Sequence, residues 1–423
     1  MFLKINPKPE AQHYYKKVIM KMKLGIITTL SIFTMLFIVG CAAKKAPRKK
    51  STAMDTPEVH TRQGDDYLLS QDFILAEEEY ELALSLKSDY SPALSGKAVT
   101  TANSAKESGE ESKIIAGLES MEALIEKASD SVQSKKQKIR VHSFAVQAHW
   151  VLQFPEDEWF ENVESHFEEA IDLDPMASAP YFFMAGAESA RFNYAAAAAH
   201  YNKVLELKGA YAEEANLKLV IVQKIQRAQP GSRNGKTIAW IPKISRADVA
   251  ALFIDELRLE RLYQDVNAKK AKGFEKPKKQ QDYKPELSKG ELASTDIEGH
   301  PMQSVIETIL KLGVRGLEND PTASFHPNKK ITRAEFALMI QDVLVKVSRD
   351  RKIETQFIGE TSPFPDVRPD LYYYNAARVV VSRNLMQVKR KATGEFGPGD
   401  PVLGADALLV LRDFKEMLMS YTR

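Results

Sequence analysis

The sequence has a single cysteine, Cys41, among 423 residues. An intrachain disulfide is therefore excluded, and so is a metal site built from several thiolates. It also lacks an excess of either charge: 59 Lys and Arg stand against 57 Asp and Glu. That balance argues against a general nucleic-acid binder. The eight histidines show no ligand spacing. His142 and His149 are seven apart and can share a helix face, but no carboxylate is arranged beside them as a ligand. No Ser/His/Asp or paired-carboxylate frame stands out, so no catalytic residue, cofactor or metal is assigned. Gly231-Ser232-Arg233-Asn234-Gly235-Lys236-Thr237 has three residues between its glycines where a phosphate loop needs four. A helical pattern rather than a strand precedes it, and no helix clearly opens at Thr237, so it is expected to be an interdomain turn.

Long apolar runs are scarce as well. The one at 24–40 is flanked by Lys16, Lys17, Lys21 and Lys23 before it and by Lys44, Lys45, Arg48, Lys49 and Lys50 after it. A basic stretch, an apolar stretch and a short exit describe a secretory signal over 1–40. Its end, Ile38-Val39-Gly40-Cys41, resembles the bacterial lipobox. That resemblance implies cleavage and lipidation at Cys41, with acyl chains anchoring the protein to a membrane. A single transmembrane anchor is the alternative, since the run is close to the minimum spanning length of about 17 residues. Met20 and Met22 are alternative starts. By analogy with enteric sorting, Ala42 rather than Asp after the cysteine favours the outer membrane, facing the periplasm. Residues 41–62 are basic, then polar, and are expected to be a flexible tether.

A chain of this length is expected to hold two or three domains. From 63 to 229 the apolar residues follow a helical period almost throughout. Three phrases recur: 76–86, 167–175 and 201–207. Phe167 and Tyr201 are 34 residues apart, as are His166 and His200. The phrases resemble the second helix of tetratricopeptide repeats, whose period is about 34. First helices are expected at 66–69, 92–102, 138–152 and 179–191, with 95–135 an irregular hairpin and 217–225 a closing helix. Small Ala83 and Ala170 would let neighbouring helices approach closely. The resemblance implies a helical solenoid whose concave face binds an envelope protein.

A second repeat follows. Ile331-Thr332-Arg333-Ala334-Glu335-Phe336 is a capping box, Thr332 and Glu335 exchanging hydrogen bonds with each other's backbone. Ile244-Ser245-Arg246-Ala247-Asp248-Val249 keeps the register, with Ser245 and Asp248 in the cap positions. Val402-Leu403-Gly404-Ala405-Asp406-Ala407 is a third copy without the hydroxyl and the Arg. Phe325-His326-Pro327 and Phe396-Gly397-Pro398 each stand nine residues before the copy's Ala, and Trp240-Ile241-Pro242 is a shortened version. Lead-ins at Asp296 and Asp366 precede the second and third copies. The pattern resembles S-layer homology motifs, closest over 296–344. In that family three such motifs build a three-lobed helical prism that holds cell-wall glycan. The expected architecture is therefore all-α: a tetratricopeptide-like solenoid at 63–229, then a three-lobed domain at 230–423 interrupted by a Lys-rich linker at 267–290.

Thr332 and Glu335 are explained as caps, but Arg333 is not, because a cation in the first turn opposes the helix dipole. A planar guanidinium suits a carboxylate, either Asp296 or Asp366 of an adjacent lobe or an external anion. The resemblance implies a glycan-binding set of Arg246, Arg333, Asp296, His300, Asp366 and Tyr372. Gly404 replaces the third Arg. His300-Pro301-Met302 stands where the family has His-Trp-Ala. Tyr372 and Tyr373 offer sugar-stacking faces, whereas Tyr374 suits packing. Two functions are compatible with these features. One is a non-enzymatic lipoprotein that binds peptidoglycan or a secondary cell-wall polysaccharide and scaffolds a protein partner. The other is an assembly factor for a secretion or polysaccharide-export machine, with the C-terminal domain as a spacer.

Overall fold

A computed structural model describes residues 55–272 and 294–422, all within one compact unit, Lys50–Arg423. The signal segment, Cys41 and residues 273–293 of the Lys-rich linker lie outside the described residues. Among the described residues the architecture is all-α, a helical solenoid followed by a three-lobed helical domain, and β pairing is limited to isolated bridges. No described helix is long and apolar enough to cross a membrane.

The solenoid is a series of antiparallel pairs. They are α1 (Pro57–Leu69) with α2 (Phe73–Leu86), α3 (Ser91–Ser108) with α4 (Glu111–Asp130), α5 (Lys135–Leu152) with α6 (Trp159–Leu173), and α7 (Ser178–Ala190) with α8 (Tyr194–Leu207). Helix starts are set locally. Thr56, Asp72, Ser134 and Asn193 each accept a hydrogen bond from the backbone N–H three residues on, and Pro57 and Pro92 occupy first-turn positions that need no donor. Two expectations are corrected. Residues 57–62 are helical rather than tether, because Thr56 caps α1. The stretch 95–135 is no irregular hairpin: α3 and α4 are long, regular and tightly packed, with Ala98, Ala102 and Ala105 buried.

First helices stack on one another, α3 against both α1 and α5, and α5 against α7. A polar clamp spans this layer. Arg140 of α5 forks onto both oxygens of Asp65 in α1, each at 2.8 Å, and its Nε donates to the Pro92 carbonyl at 3.2 Å. Tyr80, fully buried, donates to the same carboxylate at 2.7 Å. The Tyr80 ring fits only because position 96 has no side chain: a Cβ on Gly96 would lie 2.2 Å from the ring.

Helix α9 (Ala212–Ala228) belongs to two cores. Ala215, Leu219 and Val222 are buried with the solenoid, while Ile225 and Ala228 are buried with the C-terminal domain. That domain contains α10 (Arg233–Ile238), α11 (Arg246–Asp255), α12 (Leu259–Lys272), α13 (Gln303–Leu312), α14 (Arg333–Ser348), α15 (Tyr374–Ser382) and α16 (Gly404–Thr422). The capped helix of each lobe packs on the first helix of the next: α11 on α13, α14 on α15, and α16 on α9. So α9, expected to close the solenoid, also supplies the missing first helix of the first lobe, and the boundary drawn at 229/230 cuts through that lobe. The first copy thus joins the other two. Helix α12 carries regular backbone to Lys272, into the stretch expected as linker.

Two outcomes follow for stability. A fragment beginning at Gly231 leaves α16 without α9 and should show no cooperative thermal transition by circular dichroism, whereas one beginning at Tyr211 should. Asp65→Ala strands the Arg140 charge; the pair is 20–30% exposed, so the loss should be about 2 kcal/mol by denaturant melt, below the roughly 3–5 of a fully buried pair.

Candidate functional site

The three copies of the capped segment close on one another through backbone hydrogen bonds. Ile244 N–H donates to the Val402 carbonyl at 3.0 Å, Val402 N–H to Ile331 at 3.3 Å, and Ile331 N–H to Ile244 at 3.0 Å. A second set repeats the cycle two residues further on: Arg246 N–H to Lys329, Arg333 N–H to Asp400, and Gly404 N–H to Ile241, each at 2.9 Å. Both capping boxes form in full. Ser245 and Asp248 exchange bonds in one, Thr332 and Glu335 in the other.

This ring aims each arginine at the turn of the next lobe. Arg246 Nε donates to the Phe325 carbonyl at 2.7 Å, and its two terminal nitrogens donate to Gly316 and Glu318 carbonyls at 2.5 and 2.7 Å. Its guanidinium lies 4.7 Å from the Phe325 ring centroid. Arg333 repeats this on Phe396: Nε to the Phe396 carbonyl at 2.8 Å, a terminal nitrogen to Gln387 at 2.6 Å, and the ring at 4.9 Å. The internal carboxylate sought as the arginine's partner is replaced by carbonyl oxygens. Burial lowers the pKa of both guanidinium groups, opposed by Glu318 at Arg246 and by Asp406 at Arg333.

The lead-in aspartates hold the other side of the same residues. Asp296 accepts from Phe325 N–H at 2.8 Å and His326 N–H at 2.7 Å; Asp366 accepts from Phe396 N–H at 2.9 Å and Gly397 N–H at 2.7 Å. His326 and Gly397 both have positive φ, 55° and 70°, and the paired N–H bonds hold that turn. Burial works to raise the Asp296 carboxyl, but these two N–H groups, with the Ser294 hydroxyl and its own N–H, outweigh it and hold it below the usual range. Arg and Asp therefore meet across one phenylalanine at each junction, Arg246 with Asp296 and Arg333 with Asp366.

The remaining predicted residues make other contacts. His300 turns back on the start of α13, its Nδ1 accepting from Met302 N–H at 3.1 Å. Tyr372 is 70% exposed and its ring lies edge-on to Tyr373, 5.1 Å away. Burial, then Tyr372 and Asp366, raise the Tyr373 hydroxyl above its ordinary value. Tyr374 is buried and donates to the Glu360 and Thr361 carbonyls. Sequence reasoning missed Phe325 and Phe396 as seats for the arginines. The signal available was their recurrence nine residues before Ala334 and Ala405.

Residues 295–337 match the S-layer homology domain. The matched stretch runs from the Asp296 lead-in through the Phe325 turn to the Thr332 cap, so it holds most of the first Arg–Phe–Asp junction. No curated protein and no solved structure matches the chain.

The three-lobed domain has two such junctions, and the third is closed. A Cβ on Gly404 would lie 1.8 Å from the Ile238 carbonyl at the end of α10. Residues 231–237, expected to be an interdomain turn, instead lead into and form most of α10, capped by Ser232. Glu256 fills that loop, accepting from Gly231 N–H at 3.0 Å, Ser232 N–H at 2.8 Å and Ser232 Oγ at 2.5 Å. An internal carboxylate thus occupies this glycine-containing loop.

Elsewhere, in the solenoid, His142, His149 and His166 come together. The first two share a face of α5, as their spacing predicts. No group of described residues is arranged to hold a metal ion.

Gly404→Arg, which restores the motif's arginine, should destabilise the domain by about 1–3 kcal/mol, the range for overpacking. Its melting temperature should fall below that of the wild type; a rise would mean the third junction has room for a side chain.

Proposed function

We propose that this chain tethers a membrane to cell-wall polysaccharide and carries a protein partner on its solenoid. The observation that carries the proposal is the S-layer homology match over a junction that the fold builds twice. The match supports association with the cell envelope and its wall. In this proposal the ligand is peptidoglycan or a secondary polysaccharide. It is held beside the Arg333–Phe396–Asp366 junction, with Tyr372 as an exposed stacking face, and beside the equivalent Arg246–Phe325–Asp296 junction near His300.

The anchor in this proposal is the lipidated Cys41, in the outer membrane. The solenoid, taken as tetratricopeptide-like, offers two grooves on either side of the Asp65–Arg140 clamp, of about 800 and 500 Å³. Phe144 and Tyr211 line both. Grooves of that size with aromatic floors support binding of an extended polypeptide. The role is non-enzymatic. The alternative, an assembly factor whose C-terminal domain is only a spacer, is favoured by the closed third junction and by Pro301 in place of an aromatic.

Co-sedimentation with purified cell-wall sacculi separates the two. The folded full chain should pellet with sacculi, and Tyr372→Ala together with Arg333→Lys should weaken that binding at least tenfold, about 1.4 kcal/mol, with the fold retained by circular dichroism. If the folded wild type stays in the supernatant, the tethering proposal fails and the assembly factor replaces it.

A further inference from the structure

Three imidazoles meet between α5 and α6, and the proposed tethering and scaffolding make no use of them. His142 Nδ1 and His166 Nδ1 lie 3.1 Å apart. His149 stacks on His166 with ring centroids 5.7 Å apart. His149 is 3% exposed, and its Nδ1 has no hydrogen-bond partner.

Neutral rings satisfy this geometry. One Nδ1–H donates to the lone pair of the other Nδ1, so the pair needs one proton on that side. Two protonated rings would set two N–H donors against each other. Burial, then the neighbouring His166, lowers His149 to about 4; burial, then His142, lowers His166 to about 4. Burial lowers His142 too. The charged groups around the cluster do not offset this. Glu169 on α6 favours protonation, whereas Lys138 on α5 opposes it. From α3, Lys106 is engaged at the Val151 carbonyl. From α8, His200 packs on Phe167 and is itself lowered by burial.

The same helix carries the groove wall. With 3.6 residues per turn, His142 and His149 fall on one face of α5, and Arg140, Phe144 and Gln147 fall on the opposite one. Those three line the grooves. A shift of α5 against α6 therefore moves the concave face.

We propose that His142, His149 and His166 form an acid-sensitive latch: neutral, they close α5 on α6, and protonation parts the two helices and moves the groove wall. The direction follows from linkage. The folded state binds fewer protons than the unfolded one, so the latch contributes stability above about pH 6.5 and loses it as pH falls toward 4. For one ring at about 4 against 6.5 unfolded, opening becomes about 20-fold easier between pH 7 and 5.

Hydrogen exchange on the full chain in detergent tests this, with rates corrected for intrinsic pH dependence. Protection of α5 and α6 amides should fall at least about 20-fold from pH 7 to pH 5, while α14 stays constant. His149→Phe with His166→Gln should bring the two pH values within twofold. Equal protection in the wild type at both pH values, or the same loss in the double variant, overturns the latch. Should the double variant not fold, imidazole carbon NMR on the wild type decides. Midpoints of the three rings below pH 5.5 support the latch, and midpoints at or above 6.5 overturn it.

Discussion

The C-terminal domain depends on a closed cycle of three backbone hydrogen bonds among Ile244, Ile331 and Val402. Each is worth only about 1 kcal/mol net. The closure matters more than the sum. Every capped helix enters the core at the point where its own strand-like residue bonds to the copy before or after it. Remove one copy and two of the three bonds lose a partner inside a dry core. The buried residues Ile244, Ile331 and Val402, with Phe253, Phe336 and Phe414 behind them, are held in a single arrangement by this ring.

From the ring the junctions follow. Because Ile331 sits in the ring and Thr332 caps α14, Arg333 has no choice of direction; it points across the lobe boundary to Phe396. Asp366 takes the N–H of the same residue. Charge on both sides of one peptide unit fixes the turn that separates the lobes. Ionic residues thus serve structure first, and any ligand must use what they leave exposed: Tyr372, the edge of Tyr373 and the outer rim of the guanidinium. The asymmetry of the domain has a simple cause. The first lobe borrows α9 from the solenoid, and α10, leading in from it, fills the space where a third arginine would lie.

That borrowing also joins the two halves of the described chain. The N-terminal half of α9 is buried with the solenoid and the C-terminal half with the lobes. Lys224 pairs with Asp406 at 2.6 Å, and Arg412 donates to the Arg227 carbonyl at 2.5 Å. A continuous helix transmits orientation between cores better than a linker does, so the concave face and the junctions are held at a set spacing.

Much of this was legible in the sequence for local reasons. Capping boxes and the helical period of the apolar residues depend on residues within one or two turns of each other, and the sequence records them. The recurrence of Phe-x-Pro likewise marks the lobes. Tertiary structure alone decided what lay far apart in the chain. Arg246 finds its carbonyls 70 to 79 residues away. Glu256 enters a loop 24 residues before it. Helix α9 serves two cores, and His166 reaches His142 from another helix. None of these pairings has a period, because each is set by how finished helices stack, and only their packing brings the partners within bonding distance.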